Sequence, residues 1–117
     1  MLERFQDQDG FVGYRSPLLA SRRIPHLFTT RVGPGRRPFD LGRLDEAQRE
    51  RVARGAGVPH APIVGVRQVH GARVLTVRPG ALPDPAAEAD GLLSERDDVL
   101  VSIHVADCVP ILLACAD

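Results

Sequence analysis

The chain has 117 residues, room for one core, and its 15 basic and 15 acidic residues leave no net charge at pH 7, so bulk electrostatics point to neither nucleic acid nor an acidic membrane as partner. All the basic residues are Arg, and Lys and Asn are absent, which excludes a Schiff-base lysine, a Walker-type phosphate loop and an N-glycosylation sequon. The two cysteines, Cys108 and Cys115, form no CxxC pair, the opening MLERFQDQDG lacks the apolar centre of a signal peptide, and the longest apolar run, Val109 to Ala116, is too short to span a bilayer; a reduced cytoplasm is the expected setting.

Phe11 to Tyr14 reads as a short strand, and IPHLFTT, Ile24 to Thr30, as a better one because of its β-branched and aromatic content. RVGPGRRPFDLG, Arg31 to Gly42, holds three Gly and two Pro and is a loop. A helix is predicted from about Arg43 to Ala56, with Asp45, Glu46 and Glu50 near its start, Arg51 and Arg54 near its end, and Gly57 as its stop. Beyond Pro59 the texture becomes strand-like: IVGVRQV, ARVLTVR, a Pro-rich loop from Pro79 to Ala87, ADGLLS, VLVSIHV and VPILLAC, the last two continuous enough to read as buried on both faces. One helix against many strands predicts an α+β domain, mixed β-sheets flanked by helices.

Two stretches carry chemistry. RQVHG, Arg67 to Gly71, and VADCVP, Val105 to Pro110, each set a metal-capable side chain at an expected strand end beside a residue that turns the backbone. Imidazole and thiolate are both good zinc ligands, which makes His70 and Cys108, 38 positions apart, a candidate ligand pair, although the residues alone favour a structural reading. The structural alternative is that His70 caps a turn and Cys108 packs as a small hydrophobe. Asp107 adjoins the thiol, where it either fixes a water near the metal or accepts from backbone amides of the turn. Gln68 stands two positions before His70, on the same face if the segment is a strand. His104 shares that parity with Cys108, while His26 and His60 stand beside prolines as loop or strand-edge residues.

Four stretches in order, FTTR at Phe28 to Arg31, QVHG at Gln68 to Gly71, EADGLLS at Glu88 to Ser94 and VADCVPILL at Val105 to Leu113, resemble the laccase-domain family. Its members have been called multicopper polyphenol oxidase, purine nucleoside phosphorylase and peptidoglycan editing factor. The resemblance runs from about Ile24 to Ala116 and implies an α-β-β-α layered fold, of which residues 1–117 would be a single domain and its N-terminal part only. It places zinc on His70 and Cys108, catalytic roles on Asp107 and Arg31, and substrate contacts on Arg31, whose planar guanidinium suits a phosphate or ribose-linked oxygen, and on Gln68. The family's third ligand is the His of an HAGWRG motif, which does not occur here. The usual Asn-Leu-Gly reads Asp40-Leu41-Gly42, and the His and Gly-Asp that normally follow are absent.

The resemblance implies a zinc-dependent enzyme acting on purine nucleosides. Zinc with three protein ligands keeps a fourth position for water; attack at C6 of adenosine would release ammonia, whereas phosphate attacking the anomeric carbon would release the base and give ribose 1-phosphate. Its small-molecule partners would then be a nucleoside (adenosine, inosine or methylthioadenosine) and phosphate. The alternatives are hydrolytic editing of a peptidoglycan precursor and a non-catalytic half-domain. Copper is disfavoured, because one His and one Cys cannot build a multicopper centre. A run as apolar as VPILLACA is also expected to continue into a further strand covering its edge, so the sequence reads as incomplete at Asp117.

Overall fold

The computed structural model describes residues 1–115. By contact they form two compact units, residues 1–60 with 111–115, and residues 61–110.

In the first unit, strand β1, Glu3–Gln6, pairs antiparallel with β2, Val12–Arg15, and β2 pairs antiparallel with β3, Phe28–Thr29. The β1–β2 turn is closed by Asp7, whose carboxylate accepts the N–H groups of Asp9 and Phe11, the local bonding that makes Asp a turn former. Helix α1, Pro17–Ser21, starts on a Ser16 cap with proline in its first turn. Helix α2, Glu46–Ala56, has a complete capping box between Asp45 and Gln48 and ends at Gly57, whose φ of 94° is the left-handed stop expected of it. Phe11 is fully buried, edge-on to Phe5 at 6.2 Å and tilted against Phe39 at 5.3 Å, with Val52, Ala53 and Ala56 of α2 also buried. A Cβ on Gly55 would lie 3.1 Å from Leu27, 3.5 Å from Phe5 and 3.6 Å from Phe11, so the helix backbone itself lies against these side chains.

The second unit holds two parallel pairs, β4, Ile63–Val64, with β7, Leu100–Val101, and β5, Val74–Val77, with β6, Gly91–Ser94. All four strands contribute to one core: buried Val64 and Val77 pack with Val99, and Leu92 and Val101 close over them.

The broad class holds: a mixed α and β chain with several small sheets and few helices. The elements differ in detail from the sequence expectation. β1 and α1 were not legible as elements. The strand expected over Ile24 to Thr30 shortens to Phe28–Thr29, because the His26 ring folds back on its own segment, bonding the Ile24 carbonyl with one nitrogen and accepting the Ser16 N–H with the other. Helix α2 starts at Glu46 rather than Arg43, since Asp40 first captures the Gly42 N–H in a separate 3-10 turn and Leu44 is extended. VLVSIHV reduces to two strand residues, and VPILLAC forms no strand in its described residues. It is exposed rather than buried, Val109 at 82% and Leu113 at 91%; apolar content alone builds no strand where no described neighbour pairs with the backbone. Ala116 and Asp117, where the sequence reading expects a further strand to follow, lie outside the described residues.

Candidate functional site

The stretch from Ala87 to Ser94 runs parallel to both flanks of the RQVHG loop. On one side Arg67 bridges Glu88, exchanging backbone bonds with Ala87 and Ala89; on the other, Asp90 and Gly91 donate to the Arg73 carbonyl and β5 pairs with β6. Residues 68–72 bulge between these fixed flanks. Alternation then sets the two side chains that matter: Ala89 points inward, with no exposure, and Asp90 faces the loop.

The Asp90 carboxylate collects the loop's amides. Oδ1 accepts from His70 N–H at 2.9 Å and from Val69 N–H at 3.2 Å, and Oδ2 accepts from Gly71 N–H at 2.8 Å and again from Val69 at 3.3 Å. These bonds hold the carboxyl below the usual carboxylate range, the Gly71 amide contributing most, against a partial desolvation that acts the other way. His70 sits at φ 58°, a left-handed conformation that costs a residue with a Cβ about 1–2 kcal/mol. The loop is therefore a built turn with three amides aimed at one anion.

Gln68 makes the second connection. Its Nε2 donates to the His104 carbonyl at 2.8 Å and its Oε1 accepts the His104 N–H at 2.8 Å. The side-chain amide acts there as a substitute peptide, pairing with one residue of the other segment as a neighbouring strand would. One N–H and one lone pair of the Gln68 amide remain available beyond this pair.

Thus the structure brings the QVHG loop and the segment leading to Cys108 together at Gln68. His70 and Cys108 are both exposed, so Cys108 is not the small core hydrophobe of the structural alternative. Asp107 is exposed too, and among the described residues no hydrogen bond reaches its carboxylate, so it does not cap the turn. Neither His70 nor Cys108 lies at a strand end, since β4 closes at Val64 and β7 at Val101; the shared-face arguments for Gln68 with His70, and for His104 with Cys108, do not apply to loops. Arg31 belongs to the first unit, where it is exposed, its carbonyl accepts the Phe39 N–H, and its guanidinium makes no ion pair among the described residues. Asp40, at the altered Asn-Leu-Gly position, is occupied in capping a turn.

As a metal centre the described residues supply donors of the right type but not a full set. An imidazole and a thiol are suitable zinc ligands, yet no three His, Cys, Asp or Glu side chains among the described residues gather closely enough to hold a metal ion. Sequence reasoning missed Asp90. The signal was present in EADGLLS: a carboxylate at a strand start, next to a glycine, has no apolar role and needs an explanation. The partner it serves, however, is 20 residues away.

Residues 40–117, more than half of the chain, match the family described as Multi-copper polyphenol oxidoreductase laccase. Among curated relatives, a purine nucleoside phosphorylase of Mycobacterium tuberculosis is 36% identical over 108 residues, covering 80% of this chain and 42% of its own length. Another from Deinococcus radiodurans is 34% identical over 111 residues, covering 86% and 41%, and one from Streptomyces coelicolor 37% identical over 68 residues, covering 58% and 28%. The chain thus spans less than half the length of these relatives. No solved structure matches it. No helix among the described residues is long and apolar enough to cross a membrane. With the ordered motifs, the loop they build and the family match in agreement, the chain belongs to the Multi-copper polyphenol oxidoreductase laccase family.

Proposed function

We propose that this chain forms part of a cytoplasmic, zinc-dependent enzyme that phosphorolyses purine nucleosides, built on the α-β-β-α layered laccase-domain fold. The observation that carries the reading is the pairing of Gln68 with His104: an imidazole stands two residues from one side of that pair and a thiol four residues from the other. Names of relatives that share 36% and 34% of their aligned residues with this chain support the reaction class. His70 and Cys108 would hold the zinc, as two of the three protein donors that such a site uses. Zinc, when bound, supplies Lewis acidity at the reacting centre.

The remaining roles fall to the chain's own side chains. On the first unit, Arg31 offers a planar guanidinium suited to a phosphate through two parallel N–H bonds. The unused N–H and lone pair of Gln68 meet the edge of the purine. Asp107, an exposed carboxylate beside the thiol, accepts a proton or fixes a water. In the reaction a phosphate oxygen bonds the anomeric carbon as the carbon–nitrogen bond breaks, and the purine leaves with that electron pair and takes up a proton. Deamination of adenosine would use the same donors at C6.

The test is to purify the full-length protein without chelators, measure zinc per chain, and follow adenosine, inosine and methylthioadenosine with and without phosphate. Phosphate-dependent release of base with ribose 1-phosphate supports the proposal. Ammonia release without phosphate would replace phosphorolysis by deamination, and turnover of a muropeptide precursor alone would reject both.

A further inference from the structure

Among the described residues, Asp90 is the one carboxylate in the second unit whose oxygens are both engaged by the backbone of another segment, and that segment carries His70. Those bonds offset a local cost: His70 has a Cβ and a φ of 58°, and the loop is exposed on both sides of it. The anchor is rigid on its own side, because Asp90 and Gly91 both donate to Arg73 and Ala89 is buried beneath them. Gly71 completes the fit. A Cβ there would lie 3.4 Å from Asp90 Oδ2, against the oxygen that takes the Gly71 amide.

We infer that Asp90 is a positioning residue for the metal centre, setting through three backbone amides the turn from which the His70 imidazole projects. The inference rests on the reading of His70 and Cys108 as zinc ligands. It assigns to the ADG stretch a task that neither catalysis nor substrate contact requires, and it makes a specific chemical demand. Two oxygens must both accept, so an asparagine fails: its amide group would set an N–H against the Gly71 or His70 N–H. The charge matters as well, since a carboxylate facing three amides forms stronger bonds than a neutral acceptor.

The experiment compares full-length wild type with Asp90→Asn, Asp90→Ala, His70→Ala and Cys108→Ala, using zinc competition against a chromogenic chelator, cobalt(II) absorption, and amide hydrogen exchange of the metal-free proteins. Both Asp90 variants are expected to lose about 10- to 100-fold in zinc affinity, the range for residues that orient a ligand. The exchange of Val69, His70 and Gly71 should quicken while the His104 amide stays protected. Under cobalt, the thiolate charge-transfer band from Cys108 should persist while the d–d bands weaken and move away from their wild-type positions. A merely destabilised protein would lose both signatures together, and that outcome rejects a positioning role. Wild-type zinc affinity in both Asp90 variants, alongside lost zinc in His70→Ala and Cys108→Ala, overturns the inference and leaves the ligand reading standing. Retained zinc in the two ligand variants overturns the ligand reading itself, and the inference with it.

Discussion

The side-chain amide of Gln68 and the backbone of His104 pair in both directions, N–H to carbonyl at 2.8 Å each way, across 36 positions of sequence. No strand pairing joins these two segments at that point, so the connection depends on one side chain. This gives Gln68 a structural task beside any contact with substrate.

Replacing Gln68 by Ala should release the His104 segment without unfolding the unit. The exposed His104 groups regain water, so the loss is that of an ordinary hydrogen-bond pair, about 0.5–1.5 kcal/mol for each bond. Hydrogen exchange at the His104 amide should rise sharply, and protection at Leu100, whose N–H bonds the Pro62 carbonyl, should remain. Unchanged exchange at His104 would show that the pair does not persist in solution.

Cys108 and Cys115 are both free and exposed, yet only Cys108 lies on the segment paired to the QVHG loop. Cys108→Ala should abolish zinc retention and nucleoside turnover in the full-length protein, and Cys115→Ala should leave both nearly intact. Equal losses would withdraw the ligand assignment. A crystal structure of the zinc-loaded protein should place the His70 ring nitrogen and Cys108 Sγ within about 4 Å of each other, as bonds of about 2.0 and 2.3 Å to one ion require.

Gly13 has no room for a side chain. A Cβ there would fall 2.9 Å from the Phe28 carbonyl oxygen and 2.8 Å from Leu27 Cδ1, and the carbonyl belongs to the paired strand β3 and cannot retreat. Gly13→Ala should cost about 1–3 kcal/mol, the usual range for overpacking, read as a lower denaturant midpoint. Gly35→Ala meets nothing within 4 Å but sits at φ 67°, so its cost should be confined to the backbone.

His26, 8% exposed, is the buried polar residue among the described residues of the first unit, and both ring nitrogens are used, one with the Ile24 carbonyl at 2.8 Å and one accepting Ser16 N–H at 2.7 Å. His26→Ala leaves the half-buried Ser16 amide without its acceptor at the start of α1. The expected loss is about 1–3 kcal/mol, measured by chemical denaturation. A neutral result would mean that water replaces the ring.

Arg96 grips Asp98 through two bonds of 2.7 Å, and this guanidinium holds the Asp98 carboxyl below its ordinary range against a smaller desolvation. A depressed folded pKa contributes stability that is complete above the ordinary carboxylate pKa and disappears as pH falls through the folded one. Because Asp98 is exposed, the effect on stability should be small. Arg96→Gln should therefore move the Asp98 titration upward, followed by NMR of its carboxyl carbon, while the denaturation midpoint at pH 7 barely changes.

What the sequence determined by itself was everything controlled within a few residues. Asp45 with Gln48 and the closing Gly57 mark helix α2, Gly and Pro mark the 31–42 loop, and the ordered QVHG, EADGLLS and VADCVPILL stretches identify the family. These depend on caps, turns and motif order, which neighbouring side chains specify. Only the tertiary structure decided how long each strand is and what Asp90 and Gln68 do. A strand ends where its partner ends, so VLVSIHV keeps two paired residues and the equally apolar VPILLAC keeps none among those described. Likewise, Asp90 meets the His70 turn because parallel pairing at Arg67 and at Val74 fixes the register on both sides of the loop. That register arises from contacts between residues about 20 positions apart, and no local pattern of residues encodes it.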